Sequence, residues 1–155
     1  MLLRNATAIL FIDPHFNPQA QRFKRSLQAF LQIIAQRPAR IPVTRIEIHT
    51  GHETAGTRAF FATECTRHLP SIIPRGMQIR FVRWNQLYLH NRFILTEYGG
   101  LKFATGLDDH NGSAHRYDIV DLLEPEPYAQ TWQEYQRDSS HLPLIEDDLI
   151  IEGMA

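Results

Sequence analysis

The chain has 155 residues, 43% of them hydrophobic and 21% charged, an ordinary globular composition with length enough to bury the core of one domain. A formal net charge of −1 supplies no overall positive field of the kind that marks a nucleic-acid binder, so only a local cationic cluster could play that part. The single cysteine, Cys65, excludes an intramolecular disulfide and a cysteine-based zinc site. No apolar run approaches the roughly 18 residues a membrane span needs, and a cytoplasmic protein is the simplest expectation.

Thr7 to Ile12 is a nearly unbroken apolar run, the pattern of a strand buried on both faces. Asp13-Pro14 ends it, and Asn17-Pro18 predicts a helix N-cap followed by proline at the first helical position. Phe23, Leu27, Phe30, Leu31 and Ile34 then repeat at helical spacing until Pro38. Arg45 to His49 alternates polar and apolar residues as a second strand and breaks at Gly51. Phe61, Cys65 and Leu69 mark a second helix that stops near Pro74 to Gly76, with Cys65 as a packed core thiol. Met77 to Trp84 is the third strand. Arg92 to Thr96 and Leu101 to Thr105 follow as an antiparallel pair joined at Tyr98-Gly99-Gly100. A strand near Tyr117 to Leu123 and a helix from Tyr128 to Tyr135 complete the order β-α-β-α-β-β-β-β-α. That order predicts an α/β fold, a mixed sheet flanked by helices on both faces. Residues 1–140 make one domain. Residues 141–155, with the acidic Glu146-Asp147-Asp148, are a tail that is either frayed or an added edge strand.

The segment Leu89 to Asp109 carries the chemistry. It reads His90-x-Arg92, then Glu97, then the small-residue turn Ala104-Thr105-Gly106. In a regular strand, residues two apart share a face, so His90 and Arg92 project together. A histidine beside a fixed cation can attack phosphorus while the guanidinium holds the non-bridging oxygens. Thr105, on the adjacent strand, adds a hydroxyl donor. His15, His49 and His90 all lie at the carboxyl ends of parallel strands, where open α/β sheets bind their ligands. His15 and His49 are therefore candidates for substrate contact, or else solvated loop residues. Trp84 and Tyr88 either stack on a base or lipid or pack in the core or an interface. His49-Thr50-Gly51-His52 is a weak metal pattern without a third ligand, so no metal or other cofactor is expected.

The segment resembles the signature of the phospholipase D superfamily: histidine-x-lysine, an aspartate after four further residues, then Gly-Ser and an asparagine. Here Arg92 stands for the lysine, Glu97 for the aspartate and Ala104-Thr105 for Gly-Ser, with Leu107 in the asparagine's place. The order of elements also fits one half-unit of that superfamily, over most of the chain. The resemblance implies a phosphodiesterase, acting on nucleic acid through a phosphohistidine on His90. It implies a homodimer, because the second histidine comes from a second half-unit, with Trp84 to His90 in the interface. It also implies a carboxylate orienting the histidine, for which Asp118 is the first candidate, Glu97 and Asp108 the others; Asp108 is placed near substrate as well. Gly106-Leu107-Asp108 is closer to the phospholipase D-like C-terminal domain of MIT-domain proteins, where the fold serves binding. The alternative is thus a non-catalytic module for nucleic acid, anionic lipid or a protein partner.

Overall fold

Strand β1 (Ala8–Ile12) is apolar because both of its faces are covered. Ile9 and Phe11 belong to one core cluster, Leu10 and Ile12 to another. The computed structural model describes residues 2–38, 40–51, 56–104, 107, 119–137 and 146–155. Within them β2 (Arg45–Gly51) and β3 (Gln78–Trp84) extend a parallel trio from β1. On the other side of β1 lie β4 (Arg92–Thr96), β5 (Gly99–Phe103) and β6 (Val120–Leu122), each antiparallel to its neighbour. The last strand, β7 (Leu149–Glu152), pairs antiparallel with β3. The seven-stranded order is β6-β5-β4-β1-β2-β3-β7. The chain is α/β with a mixed sheet, as its element order predicts, and of the two readings of the tail the edge strand is the one found.

One face of the sheet is covered by α1 (Leu2–Asn5), α2 (Gln21–Ala35) and α3 (Arg58–His68), the other by α4 (Pro125–Glu134). The buried stripe of α2 is Phe23, Leu27, Leu31 and Ile34, the helical repeat visible in the sequence. The helix starts later than Asn17-Pro18 suggests. Asn17 accepts the amide of Gln19 on its side-chain oxygen (2.9 Å) and that of Ala20 on its carbonyl (3.2 Å), so it closes a local turn and Ala20 becomes the N-cap residue. Cys65 of α3 is fully buried, and burial pushes its thiol well above the ordinary range, consistent with a packed core group rather than a nucleophile. On the α4 side, Tyr135 and Trp132 close over Leu10, Ile12, Val82, Trp84, Phe93 and Leu95. Among the described residues no helix is long and apolar enough to cross a membrane.

Candidate active site

The carboxyl ends of β1, β2 and β3 meet the start of β4 at one edge of the sheet, because β4 runs against β1 with Phe93 opposite Ile12. Beyond Ile12 the chain makes a tight turn. The amide of Phe16 donates to the Asp13 carbonyl (3.3 Å), and the amide of His15 donates to Asp13 Oδ1 (2.9 Å). The other carboxylate oxygen of Asp13 accepts the amide of Leu107 at 3.0 Å. Asp13 is buried, so one carboxylate ties the β1 turn to the segment that follows β5. In the sequence Asp13 marks only the end of a strand; an Asp-Pro pair directly after a buried run is the available signal for such a latch. His15 is left exposed at the turn.

From Trp84 the chain must pass the ends of β2 and β1 to enter β4. Asn85 accepts the amide of Leu87 on its side chain (3.0 Å) and starts a single 3-10 turn, Gln86–Tyr88. Gln86 lies against Gly51, the last residue of β2. A Cβ at position 51 would run into the Gln86 side chain and come within 3.0 Å of the Pro14 carbonyl, so the glycine leaves room for this close approach. The amide of Gly51 in turn donates to the carbonyl of Pro14 (3.2 Å). Leu89 is buried and anchors the end of the crossing, His90 is exposed, and Arg92 is the first residue of β4. Leu89 and Phe93 both pack on the α4 side. Alternation along β4 assigns Arg92 to the opposite side, with His90 two residues ahead of it, before the strand begins. Arg92 is half-buried, and its Nε is shut off from solvent with no hydrogen-bond partner among the described residues.

Three expected site residues stand elsewhere. His49 and Trp84 are fully buried and bonded to each other, the indole N–H donating to His49 Nδ1 at 2.9 Å. An indole nitrogen only donates, so Nδ1 is bare, and Nε2 carries the proton that it shares with Glu47 Oε2 (2.9 Å). His49 is therefore a core histidine with both ring nitrogens bonded. Its ring lies side by side and nearly coplanar with the Trp84 indole and meets the edge of Tyr135. Burial drives the Glu47 carboxyl up, but its hydrogen bond and electrostatic interaction with His49, followed by the charges of Arg45 and Arg80, more than offset this and hold it below the ordinary value. With both His49 nitrogens engaged and its ring sealed under α4, the expected substrate contacts of His49 and Trp84 give way to structural roles.

Glu97 is the third correction. At about 3.4 Å per residue, β4 separates it from Arg92 by roughly 17 Å, at the opposite edge of the sheet. There it accepts the amide (2.6 Å) and hydroxyl (2.9 Å) of Thr7 and the amide of Ala8 (3.1 Å). It pins the head of β1 and cannot orient His90. Thr105, Asp108 and Asp118, and His52 of the weak metal pattern, lie outside the described residues. Leu107, in the asparagine's place, is buried with Phe11, Phe16 and Phe23.

The site that remains is His90 and Arg92, with His15 on the neighbouring strand end. Compared with known proteins, the sequence matches no family model, and neither a curated protein nor a solved structure matches it.

Proposed function

We propose that the chain is a phospholipase D-like phosphodiesterase, one half-unit of that fold, which binds a nucleic-acid phosphodiester at the carboxyl edge of its sheet and attacks it with His90. The observation that carries this reading is Arg92. Arg92 is only half-buried at the first position of β4, with no protein acceptor among the described residues, so the exposed part of its guanidinium is open to a phosphate oxygen. An exposed histidine two residues away supplies a nucleophile beside that cation. Two copies pair in this reading. Leu87 and Tyr88, 70% and 46% exposed immediately before His90, form an apolar surface that a second copy would cover.

One observation favours a second reading, phosphodiester binding without turnover: Glu97 is committed to Thr7 and Ala8, and among the described residues no hydrogen bond orients His90. Hydrolysis of bis(p-nitrophenyl) phosphate and of a single-stranded oligonucleotide, both in EDTA, separates the two. Turnover by the wild type that disappears in His90→Ala is expected, with oligonucleotide binding weakened in Arg92→Ala by about 1.5–3 kcal/mol. Turnover that survives His90→Ala rejects His90 as nucleophile. Arg92-dependent binding with no turnover selects the binding module.

A further inference from the structure

We infer that His15 of the same chain is the acid that protonates the leaving group, so that each protomer carries a complete two-histidine site. The inference rests on the phosphodiesterase reading of His90 and Arg92. It departs from the symmetric arrangement implied by the resemblance, in which a second His90 would cross a dimer axis.

The topology brings these two histidines to one end of the sheet. β1 and β4 are adjacent and antiparallel, with Ile12 paired to Phe93. His15 lies three residues beyond Ile12 and His90 three residues before Phe93, so both belong to the same end of the same strand pair. Neither chain segment strays from that end. The turn closed by Phe16 on Asp13, and reinforced by the Asp13 carboxylate, keeps His15 over the end of β1. Gln86 of the crossing from β3 lies against Gly51, the end of β2, and the amide of Gly51 donates to the carbonyl of Pro14, the residue before His15. Both histidines are exposed, and Arg92 enters the sheet beside them.

The two histidines divide the two tasks of the reaction. An unprotonated ring nitrogen of His90 forms a bond to phosphorus as the bond from phosphorus to the leaving oxygen breaks. That oxygen takes a proton from the imidazolium of His15. Water then attacks phosphorus, the P–N bond returns its electron pair to His90, and the proton lost by water restores the His15 imidazolium. Arg92 holds the non-bridging oxygens through both steps.

A general acid matters in proportion to how poorly the leaving group departs without a proton. The test therefore compares an aryl ester, bis(p-nitrophenyl) phosphate, with an alkyl ester, dithymidine monophosphate, in the wild type, His15→Ala and His15→Gln. Both variants keep the backbone amide that Asp13 binds. The expected result is a loss on the alkyl ester that exceeds the loss on the aryl ester by about 100-fold or more, within the usual range for a positioned acid, together with loss of the basic limb of the pH–rate profile. Equal losses on the two esters, or no loss on either, overturn His15 as the acid while His90 and Arg92 stand. A wild type that turns over neither ester overturns this inference and the reading beneath it together.

Discussion

Glu97 gathers both Thr7 donors and the Ala8 amide on one carboxylate, and this sets its acid–base behaviour. Burial alone would raise its carboxyl, but the hydrogen bonds from Thr7 and Ala8 outweigh burial and hold it below the ordinary range. A folded-state value below the unfolded one means that the stabilisation is fully present above the unfolded value of about 4.3 and is lost as pH falls through the folded value. Glu97→Gln is accordingly expected to lose about 1.5–3 kcal/mol in urea unfolding at neutral pH. The gap should narrow as the pH falls below 4. An equal gap at pH 3 and pH 7 would show that the charge contributes nothing. Its distance from Arg92 was legible in the spacing itself, because five steps along a strand cross the sheet from one end to the other. The burial of His49 was not. A histidine at a strand end is exposed or sealed according to what packs over it, and Tyr135, which seals it, lies 86 positions further along the sequence.

The elements with the plainest signatures are those whose burial follows a local period. α2 shows its buried stripe in four residues, and β1 shows in its unbroken apolar run that both its faces are covered. β7 has no such signature. Ile151 is buried, while Ile150 is half-exposed and the strand is only four residues long, so pairing with β3 rather than periodicity defines it. Ile151 packs in the same cluster as Ile79 and Phe81 of β3. Ile151→Ala is expected to cost about 2–5 kcal/mol. The urea midpoint should fall with an unchanged m-value, since the same surface is exposed on unfolding. A loss below about 0.5 kcal/mol, the ordinary scatter of surface substitutions, would mean that β7 is peripheral to the fold.

At the scale of the whole molecule, the exposed Leu87 and Tyr88 beside His90 predict a dimer at micromolar concentration, measurable by light scattering or sedimentation. Leu87→Asp should shift it to monomer, since a carboxylate in an apolar contact is desolvated without a partner. A wild type that is monomeric under those conditions removes the pairing from the proposal. The sequence by itself determined the α/β class, most of the strand and helix positions, and the candidacy of His90 and Arg92. These depend on periods of two and about 3.6 residues and on residue types close together along the chain. Only the tertiary structure decided which histidines reach the surface, that the tail from Leu149 closes the sheet beside β3, and that His15 and His90 share one end of one strand pair. Burial and neighbourhood are set by segments far apart in sequence that pack together, and no local period records them.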